Sequence, residues 1–184
     1  MKKRNICLVF IIIIILPYCT YRDKYEKIDK MSEADYSSKM TEKNKQLVQQ
    51  FFDGQLIIHE GFYRINGGFY CLWKQRDILI KPHHALNRLF KNNGYKITLS
   101  SDSLRYIIIS ETKSYVVGQY SNGAQAVTLE TIISVIDLES SKAFKLADHN
   151  GGPPPSSTRN RSVDIGSHWG DEDIFNNIKN KISK

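Results

Sequence analysis

The feature that most restricts this chain is a change of apolar period near residue 95. Beyond it, β-branched and aromatic residues fall in short runs at 95–99, 105–109, 114–120, 126–137 and 142–146, separated by polar breaks. Val127, Leu129, Thr131, Ile133 and Val135 are spaced by two, which puts them on one side of a strand, because side chains along a strand point alternately to opposite faces. Ile107-Ile108-Ile109 has no alternation and suits a central strand covered on both faces. Ser121-Asn122-Gly123-Ala124 is the strongest hairpin-turn signal in the chain. Runs this short and closely spaced predict an antiparallel meander.

Before residue 95 the pattern is mixed. Met40, Leu47, Val48 and Phe51 share one helical face, and Asp53-Gly54 ends that helix. Two aromatic runs, 62–65 and 69–73, flank Asn66-Gly67-Gly68 and predict a hairpin, with Ile78-Leu79-Ile80 as a third pairing run. Pro82 suits the first turn of a second helix carrying Leu86, Leu89 and Phe90, stopped by Asn93-Gly94. At the end of the chain, Asp171, Glu172 and Asp173 open a helix whose stripe is Ile174, Phe175, Ile178 and Ile182. The expected fold is therefore α+β, an antiparallel sheet of about four to six strands packed with two or three helices, as one domain over 39–184.

The start of the chain is of a different kind. A basic head, Lys2-Lys3-Arg4, precedes an uncharged run from Ile6 to Leu16, then Pro17-Tyr18-Cys19. That is the three-part layout of an export signal, and the run is shorter than the roughly 20 apolar residues of a spanning helix. Leu16 and Cys19 resemble the first apolar residue and the lipidated cysteine of a bacterial lipoprotein signal, while Tyr18 departs from the small residue that normally precedes that cysteine. The resemblance implies cleavage after residue 18, lipid attachment at Cys19, and a protein held at a membrane in the cell envelope. The polar stretch 19–38 then reads as a tether, since it lacks any sustained apolar period. A second likeness, over Val135-Ile136-Asp137-Leu138-Glu139-Ser140-Ser141-Lys142, is to a strand-turn-strand corner in exported accessory lipoproteins of the curli-secretion and penicillin-binding-protein-activator type. It implies a fold and no functional residue.

Charge and cysteines narrow the functions. Of the net charge of +7, three positive charges lie in the basic head, so the remainder is only mildly basic and shows no one-sided cluster of the kind nucleic-acid binding needs. With Cys7 in the signal and Cys19 acylated, Cys71 is left as a single thiol among Tyr70, Leu72 and Trp73, which reads as a packed core residue.

Catalytic motifs fail on spacing. His59-Glu60 could open a zinc-protease HExxH, but Tyr63 stands where the second histidine belongs. His83 and His84 are adjacent, about 100° apart on a helix, and read as a solvated first turn. Ser110-Glu111-Thr112-Lys113 matches SxxK, yet falls in a predicted turn between strands rather than at a helix start. No phosphate loop or metal-type cysteine pairing occurs, and no cofactor is expected.

One region gathers polar and aromatic groups, the irregular Gly/Pro-rich loop expected over 147–170. It contains His149, Arg159, Arg161, Asp164, His168 and Trp169, a candidate partner-binding set. The first expectation is a non-enzymatic envelope module that binds another protein or a cell-wall component. An exported hydrolase built on the loop His and Asp residues is the alternative, and a structural surface protein without a dedicated ligand is the third.

Overall fold

The computed structural model describes residues 38–61, 63–75, 79–156, 163–165 and 169–183. The chain divides into units 1–38 and 39–184. The second unit is built from α1 (Glu42–Phe52), β1 (Ile58–His59), β2 (Gly68–Gln75), β3 (Leu79–Pro82), α2 (His84–Asn92), β4 (Leu104–Gln119), β5 (Gln125–Asp137), β6 (Lys142–Asn150), β7 (Val163–Ile165), α3 (Asp171–Ile178) and a 3-10 turn, Lys179–Lys181. No helix among the described residues is long and apolar enough to cross a membrane.

Six strands form one sheet in the order β1-β6-β5-β4-β2-β3, and β7 adds to the far part of β5. The α+β class is as expected, but the sheet is mixed and not antiparallel throughout. The β4–β5 and β5–β6 hairpins and the β2–β3 pair are antiparallel, whereas β2 runs parallel to β4, β1 to β6 and β7 to β5. The cause is the path from β3 through α2, which carries the chain back across the sheet and delivers β4 alongside β2 in the same direction.

β4 is the central strand. Ile107, Ile108 and Ile109 are 0%, 0% and 1% exposed, so both faces at this point are covered. On one face Tyr106 and Ile108 join Cys71, Ile133, Val135 and Leu146 beneath Leu86 and Phe90 of α2 and Ile174 and Ile178 of α3. Phe90 meets Phe69 and Phe175 edge-on, with ring centroids 5.1 and 4.9 Å apart. The other face lies under α1, whose Phe52 ring sits 5.2 Å from the Lys74 ammonium and whose Leu47, Val48 and Phe51 are buried. Thr41 starts α1 by accepting from the Asn44 N–H at 3.2 Å.

Several local expectations are corrected. The described part of the run 62–65, residues 63–65, forms no hairpin with 69–73. Instead Ile65 makes a parallel bridge to Ile182, donating to the Lys181 carbonyl and accepting from Ser183, so the chain's last residues are laced to this segment. Gly68 begins β2 where a side chain has no room, since a Cβ there would lie 2.3 Å from the Ser103 carbonyl oxygen. Pro82 ends β3 and is not in the helix. Residues 95–99 form no strand, only the bridge of Ile97 to Phe69. The runs 105–109 and 114–120 belong to one long strand, and Ser110 to Lys113 are its middle. Within that strand Ser110 and Lys113 lie three positions apart, on opposite faces, so the SxxK match places its lysine away from its serine.

Candidate functional site

Successive rows of the sheet on the face under α2 and α3 bring the polar groups together. Across β2, β4, β5 and β6 the partners run Trp73–Ser110–Ile133–Ala147, and in the next row Thr112–Thr131–His149. Directly paired residues share a face, with Cβ atoms about 4.5–5.5 Å apart. The core of that face therefore gives way, row by row, from aliphatic side chains to hydroxyls and an imidazole. Ser110 and Thr131 are buried, Thr131 to 1% exposure, while Thr112, Trp73 and His149 are half-buried.

The start of α3 closes this patch from above. Trp169 stacks on His149 with centroids 4.9 Å apart and planes 7° from parallel. Two residues later, Asp171 approaches His83, Oδ1 to Nε2 3.5 Å, and His83 lies 6.1 Å from Trp73 ring to ring. Gly170 between them donates its N–H to Asp173 Oδ2 at 3.0 Å, fixing the helix entry. These contacts and register pairs gather a circuit of positions about the start of α3: Trp73, His83, Asp171, Trp169, His149, Thr131, Thr112 and Ser110. Half-buried groups form its rim, and Ser110, Thr131 and Ile133 its buried floor.

Two details mark the circuit as more than packing. Thr131 Oγ1 is buried with no hydrogen-bond partner among the described residues. A buried hydroxyl in that state costs about 1–3 kcal/mol, which most native structures avoid. His83, expected to be a solvated first-turn residue, is instead half-buried, its side chain 11% exposed. Burial lowers its pKa from the ordinary histidine value, Asp171 pulling the other way and His84 reinforcing the depression, so it is neutral at neutral pH.

The expected loop residues are only partly assembled here. His149 lies in β6, before the loop, and Trp169 immediately precedes α3, so their stack pins the two ends of the loop together. Asp164 lies in β7 opposite Ala126, whereas His149 is opposite Thr131. Those positions are separated by roughly 17 Å of β5 at about 3.3 Å per residue, so the strand register does not bring them together as a hydrolytic pair. Arg159, Arg161, His168 and the lipid-attachment residue Cys19 lie outside the described residues. No group of three His, Cys, Asp or Glu suited to a metal is found among the described residues. His59 is exposed in β1, and Tyr63, in the place of a second HExxH histidine, donates to Asp137 Oδ2 at 2.6 Å.

The Gly/Pro segment has a structural task. It lies along the outer side of β5 beyond the end of β6: Gly151 donates to the Leu129 carbonyl, Tyr120 Oη donates to the Pro155 carbonyl, and β7 pairs with residues 125–127. An open strand edge is thereby covered. The opposite edge of the same hairpin is bare among the described residues, because β2 pairing stops at Glu111 while β4 runs on to Gln119. Tyr115, Val116 and Val117 are 48%, 61% and 58% exposed there. Lys113 and the bulge between Val116 and Gly118 blunt that edge against strand addition.

Elsewhere the polar groups serve the fold. Asp137 closes the β5–β6 turn by accepting from the Glu139 and Ser140 N–H groups. Burial raises its pKa, but these bonds and the one from Tyr63 outweigh burial and hold the carboxyl below its ordinary value. The Tyr63 phenol is pushed well above its usual range by burial and by Asp137. Cys71 is a buried thiol whose pKa burial raises further, as expected of a core residue.

No protein-family model matches the chain, and no curated protein matches it.

Proposed function

We propose that this protein is a non-enzymatic accessory lipoprotein of a bacterial envelope. Acyl chains on Cys19 hold it at a membrane, residues 19–38 act as a tether, and the 39–184 domain binds an envelope protein or cell-wall component. The observation that carries the binding part is the circuit at the mouth of α3, where a buried, unpartnered Thr131 hydroxyl lies beneath a half-buried aromatic and polar rim. Such convergence of a few polar groups among aromatic side chains is the usual makeup of a binding site. The anchor part is supported by the basic head, the short apolar run and the placement of Leu16 and Cys19.

Two measurements on the full chain test this reading. Cells fed labelled fatty acid should yield labelled, membrane-sedimenting protein, and Cys19→Ala should lose both label and sedimentation while the domain stays folded. A photo-crosslinking residue in place of Thr112 on the rim should capture a reproducible envelope component. Tight sedimentation of the cleaved Cys19→Ala protein refutes the anchor, and capture of lipid alone refutes the binding role.

A further inference from the structure

We propose that Asn66 is a site of self-modification, at which the Gly67 amide nitrogen closes on the Asn66 side-chain carbonyl while the Ser183 hydroxyl holds the oxygen that becomes negative. The product is a succinimide that water opens to aspartate and isoaspartate. This chemistry is independent of what the domain binds.

The chain contains four Asn-Gly pairs, beginning at Asn66, Asn93, Asn122 and Asn150. Each has the same local chemistry, since glycine carries no side chain to shield its nitrogen and the reacting atoms are already tethered in one short segment. The fold separates them. The Gly94 N–H donates to the Lys91 carbonyl at 3.1 Å, the Gly123 N–H to Tyr120 at 2.9 Å and the Gly151 N–H to Leu129 at 2.6 Å. Each of those bonds keeps the proton on the nitrogen and fixes the nitrogen in place, so it must break before attack. The Gly67 N–H has no partner among the described residues, and Asn66 and Gly67 are both exposed, so solvent reaches the proton that has to leave.

The carbonyl is prepared as well. Ser183 Oγ donates to Asn66 Oδ1 at 2.6 Å. Attack on the side-chain carbon puts negative charge on that oxygen, so a hydroxyl already bonded to it stabilises the transition state more than the ground state. Asn122 Oδ1 also accepts a bond, from the Ala124 N–H at 3.1 Å, but the nitrogen of its glycine is committed to Tyr120. Among the four pairs, only Asn66-Gly67 combines an uncommitted nitrogen with a polarised carbonyl.

In the first step the new nitrogen–carbon bond forms, solvent removes the Gly67 N–H proton, and the side-chain amide nitrogen leaves as ammonia with a proton returned by solvent. In the second step one water opens the ring. Its attack on the former side-chain carbon gives aspartate, and its attack on the main-chain carbon gives isoaspartate, whose backbone is longer by one carbon. That extra atom falls between two fixed points. Ile65 is bonded through its N–H to Lys181 and through its carbonyl to Ser183, while Gly68 is packed against the Ser103 carbonyl. Isoaspartate at 66 therefore loosens the lacing of the chain's last residues.

Full-length protein in mild detergent should be kept for weeks in mildly alkaline buffer made with heavy-oxygen water, then digested in ordinary water and mapped by mass spectrometry, so that conversion during digestion carries no label. Trypsin cutting after Arg64 and Lys74 puts Asn66 on a peptide free of the other three pairs. Asn66 is expected to convert about tenfold faster than Asn93, Asn122 or Asn150, which must each first release roughly one hydrogen bond, and to give both aspartate and isoaspartate with one heavy oxygen. In urea the four rates should converge, because only the fold distinguishes them. Ser183→Ala should slow conversion at Asn66 by roughly three- to tenfold, the worth of one exposed hydrogen bond, and Ser183→Thr should restore it. In the converted protein the Ser183 amide should exchange faster than before conversion. Equal or faster conversion at another Asn-Gly pair of the folded protein, aspartate without isoaspartate, a lead of Asn66 that persists in urea, or an unchanged or faster rate in Ser183→Ala overturns the proposal.

Discussion

Asn87 offers the sharpest test of how the sheet is finished at its β3 side. β3 pairs with β2 only from Leu72 to Gln75, which leaves Cys71 one position short of a strand partner. Asn87, buried on α2, fills that place: its Oδ1 accepts from the Cys71 N–H at 2.8 Å and its Nδ2 donates to the Cys71 carbonyl at 2.9 Å. The His83 N–H also donates to that carbonyl, at 2.9 Å. Removing the amide therefore orphans one group, the Cys71 N–H, while the carbonyl keeps a partner. An orphaned buried N–H costs about 1–3 kcal/mol, and the lost volume in Asn87→Ala adds to it, for a total of about 2–4 kcal/mol against a typical stability of about 5–15. Asn87→Leu restores volume but not the acceptor, so it should remain destabilised by at least about 1 kcal/mol. Urea titration should show a lower midpoint with unchanged slope for both variants. Amide exchange at Cys71 should accelerate in both. An Asn87→Leu protein as stable as the wild type, with Cys71 still protected, would refute the claim that this side chain completes the sheet.

Particular contacts set three further outcomes. Ile108→Asp should unfold the domain, since it places an unpaired carboxylate on a fully buried central strand, whereas His149→Ala should leave a folded protein; thermal melts separate them. Gly68→Ala should destabilise by roughly 1–3 kcal/mol, as overpacking does, because its Cβ would collide with the Ser103 carbonyl and the Thr98 methyl; a melting temperature equal to the wild type would contradict this. Asp137 has a folded-state pKa below its ordinary value, so its contribution is full above the ordinary carboxylate range of about 4 and is lost as pH falls through the lower folded value. Tyr63→Phe, which removes one of the bonds that depress that pKa, should make stability less sensitive to acid over that range, measured by denaturant titration at several pH values.

Local pattern made part of the fold legible in the sequence. The alternation of Val127 to Val135 and the unbroken isoleucines at 107–109 encode burial on one face or both, and the strands form there. Strand direction is not local: β2 and β4 are parallel because α2 returns the chain, and no residue within either strand records it. The polar stretch from Ser110 to Lys113 has the look of a turn because polarity usually marks one, but here β4 leaves the core partway along, so its outer half is wet while still paired to β5. The site divides the same way. His149 and Trp169 stand out as residue types, yet their stacking depends on the end of β6 and the start of α3 meeting in the fold, which neither residue records. Thr131 could not be singled out at all, because a threonine in an alternating strand is an ordinary β-branched core residue. Only its register, with His149 on one side and Thr112 on the other and no partner for its hydroxyl among the described residues, distinguishes it from the valines beside it. Exchanging it for valine is therefore informative in both directions: a higher melting temperature shows that the unpaired hydroxyl costs stability, and an equal or lower one shows that the hydroxyl is satisfied in the folded protein.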